Sequence, residues 1–120
     1  MVEIGIHLVV GDSALRGALA SRISRQAGFQ VAAQDGRLNN VSTGDLVLTT
    51  PSDCSPAQCG ELVRDGVRVV LLAPVPRETD RANYAFAGAR YIPMLVDTGE
   101  LFDALLEAAR TAGSRVPGRR

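Results

Sequence analysis

The chain has 120 residues, which suits one domain large enough to bury a hydrophobic core without disulfides or structural metals. Its 13 basic and 13 acidic residues cancel, so net charge gives it no general attraction for nucleic acid or anionic lipid. No apolar run approaches the roughly 20 residues of a membrane span, and the N-terminus lacks a secretory signal pattern. We therefore expect a cytoplasmic protein that binds neither membranes nor, by this domain alone, nucleic acid.

The first part of the chain predicts a strand followed by a helix. The strand covers Ile4–Val10 and ends at Gly11. Asp12 or Ser13 can cap the helix, and Gly28 can stop it. Apolar residues recur at helical spacing between these limits, at Leu15, Ala18, Leu19, Ile23 and Ala27.

A shorter second strand and a polar connection come next. Apolar residues alternate over Phe29–Ala33, which predicts the strand. The segment Gln34–Gly44 is polar and rich in turn residues, and it offers only Leu38 and Val41 as anchors. We expect at most one helical turn there.

The middle of the chain predicts strand, helix and strand. Asp45–Thr50 reads as a buried strand, and Ser55 followed by Pro56 is a good helix start because proline is tolerated at the first helical position. Gly66 ends that helix. The continuous apolar run within Val67–Ala73 is typical of a strand covered on both faces of a parallel sheet.

The last third predicts a helix, a brief strand and a final helix. The first helix covers Glu78–Ala87 and ends at Gly88, the strand covers Arg90–Met94, and Asp97 or Thr98 caps the final helix. That helix has one apolar stripe, formed by Leu101, Leu105, Ala108 and Ala112. We assign residues 1–112 to one domain and the polar, basic residues 113–120 to a linker-like tail.

Strands that alternate with helices predict parallel pairing through right-handed crossovers. Five such units in about 110 residues fit the α/β flavodoxin-like doubly wound sheet, with strand order 2-1-3-4-5 and a shortened or missing second helix.

Three residues that often bind metals or protons are assigned structural roles. Cys54 and Cys59 are the only cysteines and His7 is the only histidine, too few for a four-ligand zinc site. Free cysteines behave as small buried hydrophobes, and a disulfide is not expected in a cytosolic chain. We expect no cofactor and no metal.

Four stretches, in order and at nearly the right spacing, resemble the receiver domain of bacterial response regulators. They are Ile6–Ser13, Asp45–Leu48, Val69–Leu72 and Ala87–Ile92. The resemblance covers about Ile4 to Arg110. It implies a phosphorylation site in which two acids after the first strand hold magnesium and an aspartate after the third is the nucleophile. A hydroxyl after the fourth strand and a lysine after the fifth complete that site.

Four of these five groups are absent from this sequence. The acid pair falls on Gly11 and Asp12, and the nucleophile falls on Thr50. The hydroxyl position falls on Ala73 and the lysine position on Met94, in a chain that has no lysine at all. The resemblance therefore implies an atypical receiver domain, in which Asp12 is better explained as a helix cap than as a metal ligand.

The resemblance also implies an interaction surface between Glu78 and Ala112, the family's usual dimer face. Tyr91 falls on the family's switch aromatic, although a half-buried tyrosine on a short edge strand is the favoured explanation. The candidate interface residues carry both charge signs and are Arg77, Arg81, Arg90, Asp97 and Glu100. We predict a homodimer or a partner protein, and a transcription effector that is attached or separate.

Three alternatives remain open. Thr50, Ala73 and Met94 make the crevice at the strand ends less polar, which suits a sensor of a small molecule. A phospho-accepting regulator would need Asp53 as a displaced acceptor. Catalysis has little support, because the chain lacks a Gly-rich phosphate loop and only His7 is available as an imidazole base.

Overall fold

A computed structural model of the chain describes residues 4–36, 38, 41–94 and 99–114, with side chains described as far as Arg110. Nine helices and strands follow one another along these residues, alternating except where β2 is followed by β3. They are β1 (Ile4–Val9), α1 (Ser13–Arg25), β2 (Phe29–Asp35), β3 (Leu46–Thr49), α2 (Pro56–Arg64), β4 (Arg68–Ala73), α3 (Glu78–Ala87), β5 (Arg90–Pro93) and α4 (Gly99–Ser114).

The five strands form one parallel sheet in the order β2-β1-β3-β4-β5. This order confirms the predicted flavodoxin-like topology. The register between β1 and β2 shifts once, between Ile6 and His7, so that Ile6 pairs with Val31 and His7 with Ala33. In this topology the carboxyl ends of all five strands meet at one edge of the sheet, where ligands bind in folds of this type.

Each face of the sheet carries its own apolar cluster, because side chains alternate between the two faces of a strand. One cluster lies under α1 and α4 and includes Ile6, Leu8, Leu48, Phe102 and Leu105. The other lies under α2 and α3 and includes Val9, Val47, Cys59, Leu71 and Tyr84. The sheet is therefore buried on both sides along β3 and β4, as their continuous apolar runs predicted.

The second helix of the fold is missing, as predicted. No helix is found at the described positions between β2 and β3, which are 36, 38 and 41–45. Leu38 and Val41 pack against the cluster under α2 and α3. The hydroxyl of Thr43 donates to the carbonyl of Asp65 at 2.6 Å, so the short connection is tied to the end of α2.

Several element ends differ from their predicted positions. β2 continues two residues further than predicted, to Asp35, because it pairs with β1 up to Val9 and its Asp35 carbonyl accepts from Val10 N–H at 2.9 Å. α1 ends at Arg25, and Gly28 forms the left-handed turn after it with φ of 89°. α4 reaches Ser114, two residues into the predicted tail. The rest of that tail, and the predicted caps Asp97 and Thr98, lie outside the described residues.

The histidine and the cysteines are buried. His7 is on β1, and Cys54 and Cys59 are free thiols within the cluster under α2 and α3. A hydrogen bond between the two thiols lowers the pKa of Cys54 and, together with burial, raises the pKa of Cys59.

None of the helices within the described residues combines the length and apolar character needed to cross a membrane.

Candidate functional site

The candidate site lies at the carboxyl ends of β1, β3, β4 and β5, where the five positions identified in the sequence fall. The structure brings four of them together in two pairs. Gly11 and Thr50 meet through the side chain of Asp53. Met94 N–H donates to the carbonyl of Ala73 at 2.8 Å.

Asp53 bridges the ends of two strands. One carboxylate oxygen, Oδ1, accepts from the backbone N–H of Gly11 at 3.1 Å, and the other, Oδ2, accepts from the hydroxyl of Thr50 at 2.6 Å. A tight turn positions the carboxylate, since the N–H groups of Asp53 and Cys54 both donate to the carbonyl of Thr50 at 3.0 Å. Both oxygens of this carboxylate are therefore engaged within the chain, at the edge where the fold binds ligands.

Glycine at position 11 leaves the space that this bridge occupies. A Cβ atom added to Gly11 would lie 2.8 Å from Oδ1 of Asp53. A larger residue would require the carboxylate to move, and an acidic one would also place two negative charges in contact. The missing acid at position 11 and the bridging acid at position 53 are therefore structurally linked.

Asp12, the surviving member of the acid pair, caps α1. Its Oδ1 accepts from the backbone N–H groups of Ala14 and Leu15 at 2.9 and 3.1 Å. This arrangement satisfies two of the N–H groups that a helix start leaves without partners. The capping role expected from the sequence is the one that the geometry shows.

A cation that the sequence did not single out reaches the end of β1. The guanidinium of Arg16, from the first turns of α1, donates to the carbonyl of Val10 at 2.6 Å. Only a weak indication of this contact was visible in the sequence. Arg16 lies four residues after the capping Asp12, but long cationic side chains at helix starts are usually solvated.

Ala73 and Met94 do not line a common pocket. Ala73 is buried in the cluster under α2 and α3, whereas Met94 packs against the cluster under α1 and α4. Both positions therefore serve the core, and neither supplies a hydroxyl or an ammonium to the edge of the sheet.

The residues present do not fit the magnesium ion that the receiver resemblance implies. Magnesium needs several convergent oxygen ligands, usually including one or two carboxylates. Here position 11 has no side chain, Asp12 caps a helix, and Asp53 is bonded on both oxygens. Within the described part of the chain, no three His, Cys, Asp or Glu side chains are placed to hold a metal.

Tyr91, at the switch-aromatic position, is held inward rather than half-buried, with 6% of its surface exposed. Its hydroxyl accepts from the backbone N–H of Arg77 at 3.0 Å, and its ring stacks on Tyr84 at 5.7 Å between centroids. Arg81, which lies on α3, places its guanidinium 5.4 Å from the centroid of the Tyr91 ring. Three contacts therefore fix one orientation of this side chain.

Tyr84 connects α3 to the turn that holds Asp53. Its hydroxyl donates to the carbonyl of Cys54 at 2.6 Å, and burial raises the pKa of Tyr84 to about 12. The bridge at Asp53 and the aromatic pair are thus joined through adjacent residues of one turn.

The candidate interface residues are dispersed over the surface next to β5. Arg90 forms an exposed ion pair with Glu107 of α4, and Glu100 lies exposed in the first turn of the same helix. Asp97 lies outside the described residues. Sequence reasoning missed Phe86 of α3, which is 95% exposed. The available signal was helical spacing, since Phe86 lies two residues after Tyr84 and therefore on the opposite face of α3.

A cavity of about 340 Å³ opens beside the site, between the loops that follow β3 and β4. Its walls include Pro51, Pro74, Val75, Arg77 and Asp80. The three replaced positions that suggested a less polar crevice, Thr50, Ala73 and Met94, are not among its lining residues.

Solved structures with this fold come from signalling and assembly proteins. The response regulator ChrA of a heme-sensing two-component system matches with a TM-score of 0.76 and 22% identity, over 98% of this chain and 62% of ChrA. A DNA-binding response regulator of the LuxR family from Staphylococcus aureus matches with a TM-score of 0.68 and 12% identity, over 88% of this chain and 98% of the regulator. A candidate pilus assembly protein, CpaE, from Burkholderia thailandensis matches with a TM-score of 0.68 and 17% identity, over 96% of this chain and all of that one.

These likenesses confirm that the chain has the receiver-domain fold predicted from its sequence. The chain spans about 62% of the length of ChrA. No protein-family model matches the sequence, and no curated protein matches it.

Proposed function

We propose that this chain is a receiver-like signalling module that acts through protein–protein contact and does not accept a phosphoryl group. The observation that carries the proposal is the Asp53 carboxylate, which is bonded to Gly11 N–H and to the Thr50 hydroxyl. Phosphoryl transfer depends on positioning and on charge neutralisation. The Asp53 carboxylate is engaged on both oxygens, so it is not positioned to accept a phosphoryl group. Position 11 has no acid and the chain has no lysine, so the charge of the phosphoryl group would not be neutralised.

The outer face of α3 is the contact surface that we propose. Phe86 is the most exposed large apolar side chain among the described residues, and Ala82 precedes it by one helical turn on the same face. Exposed aromatic anchors are enriched at protein interfaces. Phe86 is exposed to water on a helix whose opposite face is buried, so covering its ring with a partner would be favourable.

A second copy of the chain is the partner that we propose. In a two-fold symmetric dimer the same surface patch of both copies meets, so two exposed Phe86 side chains would bury each other. Such a homodimer is self-complementary without any other protein.

The module's target is a transcription effector, attached to it or separate. Two observations support this part of the proposal: one protein of similar fold is a DNA-binding response regulator, and ChrA extends well beyond the length that this chain spans. The neutral net charge gives this domain no general attraction for DNA, which supports a separate effector as the DNA-contacting part.

Sedimentation velocity across a concentration series tests the homodimer. We expect the native chain to shift from monomer to dimer as concentration rises, and Phe86→Ser to remain monomeric over the same range. Val75→Ser is the matched control, because among the residues whose side chains are described Val75 is the other large exposed apolar one, 67% exposed in a loop outside α3. A native chain that stays monomeric, or a dimer that survives Phe86→Ser, would contradict the proposal.

A second candidate function is a small-molecule sensor, favoured by the 340 Å³ cavity between the loops after β3 and β4. Its volume lies at the small end of the range for ligand pockets, and Arg77 and Asp80 give it both charge signs. Stabilisation of the chain by a fractionated metabolite extract, abolished by Arg77→Ala, would support the sensor. Equal stabilisation of the Arg77→Ala variant would count against it.

A further inference from the structure

The cavity of about 340 Å³ beside the candidate site has one wall in the turn after β3 and the other in the loop after β4 and the start of α3. The first wall includes Pro51 and Ser52, which lie inside the turn closed by the N–H groups of Asp53 and Cys54 on the carbonyl of Thr50. Proline fixes its own backbone angle φ, so this turn has little freedom to move.

The second wall is held by the two tyrosines. The backbone N–H of Arg77, just before α3, donates to the hydroxyl of Tyr91 at 3.0 Å. Further along α3, the buried hydroxyl of Tyr84 lies 3.5 Å from the carbonyl of Pro51, so the inner side of the helix meets the opposite wall. Both walls are therefore in place before any ligand arrives, which lowers the cost of ordering on binding.

Two opposite charges line this cavity next to each other. Arg77 is the N-cap residue of α3 and Asp80 is the third residue of the helix, two positions whose side chains commonly lie side by side. Arg77 is exposed and Asp80 is half-buried, so a ligand can contact both residues. The ion pairs found among the described residues do not include either of them. One small molecule can therefore reach a cation and an anion at the same time.

An exposed apolar side chain completes the lining. Val75 is 67% exposed and lines the cavity together with Pro51 and Pro74. Covering apolar surface with an apolar group of a ligand is favourable. The cavity thus combines an apolar wall with a pair of opposite charges.

We propose that this cavity binds an α-amino acid with an apolar side chain. The carboxylate of the amino acid accepts from the guanidinium of Arg77, which suits carboxylates because of its planar fork of donors. The ammonium donates to the carboxylate of Asp80, and the side chain covers Val75 and the two prolines. This inference rests on the second candidate function, the small-molecule sensor, and names the class of its ligand.

Thermal melting of the full chain with leucine, isoleucine, valine, methionine and phenylalanine, each tested alone, examines the ligand class. We expect at least one of these amino acids to raise the melting temperature in a saturable way, as binding to the folded state requires. Glycine carries both charges without an apolar side chain. The corresponding amine and carboxylate, for leucine isoamylamine and isocaproate, keep the side chain and one charge each. All three probes should have much smaller effects.

Three variants and two controls locate the site by calorimetric titration. Arg77→Gln and Asp80→Asn each remove one charge with little change in size, and each should weaken binding at least about tenfold. Val75→Ser should weaken it about threefold, because the valine is only partly covered by the ligand. Arg64→Gln, an exposed charge on α2, and Phe86→Ser, on the outer face of α3, should bind as the native chain does.

Three results would overturn the assignment. They are the absence of any effect from all five amino acids, an equal effect from glycine or from a single-charge probe, and unchanged binding in both Arg77→Gln and Asp80→Asn. If no amino acid acts but a metabolite extract still stabilises the native chain and not Arg77→Ala, the ligand class is wrong and the sensor stands. If neither acts, both fail. Monomeric behaviour of the chain would contradict only the proposed contact function.

Discussion

At the scale of single residues, the bridge between Gly11, Asp53 and Thr50 changes what the edge of the sheet can do. The bond from Gly11 N–H connects the loop after β1 to the turn after β3 across 42 positions of sequence, and the bond from Thr50, three positions away, holds the carboxylate at the end of β3. Bonds to an ionised group are stronger than those between neutral groups. The Asp53 carboxylate therefore stabilises the arrangement of the strand ends in this chain.

Asp53→Ala removes both hydrogen bonds and should lower the free energy of unfolding by about 1–2 kcal/mol, as measured by denaturant titration. Asp103→Ala is the matched control, because Asp103 is an exposed carboxylate on α4. Its effect should stay within about 0.5 kcal/mol. Equal effects of the two substitutions would show that the bridge contributes nothing.

The contact between Gly11 and Asp53 predicts coupling between two substitutions. Gly11→Ala alone should destabilise the chain by about 1 kcal/mol, because its Cβ would lie 2.8 Å from Oδ1 of Asp53. In the Asp53→Ala background the same change should cost close to nothing. A double-mutant cycle measures this interaction energy, and strictly additive effects would contradict the proposed linkage.

Tyr84 predicts a stability change at high pH. Its pKa is raised to about 12 in the folded chain from an ordinary value of 10, because burial disfavours the phenolate. The unfolded chain therefore loses this proton first, so the contribution of Tyr84 is complete below about pH 10 and is lost as pH rises towards 12.

Unfolding curves of the native chain and Tyr84→Phe, measured across this pH range, isolate the effect. We expect the native chain to lose stability more steeply than Tyr84→Phe. Parallel curves would show that the phenol is not held in its neutral form. At neutral pH, Tyr84→Phe should cost about 1–2 kcal/mol, because it removes the bond to the Cys54 carbonyl.

At the scale of elements, α2 begins with a capping box that was predicted only in part from the sequence. Ser55 and Pro56 predicted the start, and the structure adds Gln58, whose side chain accepts from Ser55 N–H at 2.9 Å while Ser55 Oγ accepts from Gln58 N–H at 3.2 Å. Reciprocal capping of this kind satisfies two backbone donors.

Ser55→Ala should lower the free energy of unfolding by about 1 kcal/mol, since it removes the Oγ that accepts from Gln58 N–H and leaves only the bond from the backbone N–H of residue 55. Ser21→Ala provides the control, because Ser21 lies exposed within α1. Alanine has the higher helix propensity, so that change should be neutral or slightly stabilising. Urea titration compares the two, and a neutral Ser55→Ala would contradict the role of the box.

The elements themselves could be predicted because their signals are local. The continuous run of β4 and the caps of α1 and α2 are properties of neighbouring residues. The polar segment before β3 was too short for a full helix, and its two apolar anchors, Leu38 and Val41, pack against the cluster under α2 and α3. The two extra residues of β2 were missed, because they are held by pairing with β1 rather than by their own apolar pattern.

At the scale of the whole molecule, only part of the candidate functional site could be predicted from the sequence. Residue identities at the strand ends showed which groups were absent, and strand order followed from the alternation of elements. The bridge at Asp53 was not predicted, because it joins an N–H and a hydroxyl from two separate strand ends through a turn of unknown course. The exposure of Phe86 depends on how α3 sits on the sheet, which local composition does not determine.

The apolar clusters on both faces are complete, so the fold does not depend on charged groups at the strand ends. Those positions are then available for internal contacts, such as the Asp53 bridge, or for packing, as at Ala73 and Met94. We expect the chain to fold and associate without any phosphoryl donor.

Thermal melting with beryllofluoride and magnesium tests the central claim most directly, because this pair mimics a phosphoryl group on an aspartate. A chain whose Asp53 is already bonded on both oxygens, beside a glycine at position 11, should melt at the same temperature with and without the pair. A saturable rise in melting temperature that disappears in Asp53→Ala would contradict the account and identify a functional phosphorylation site.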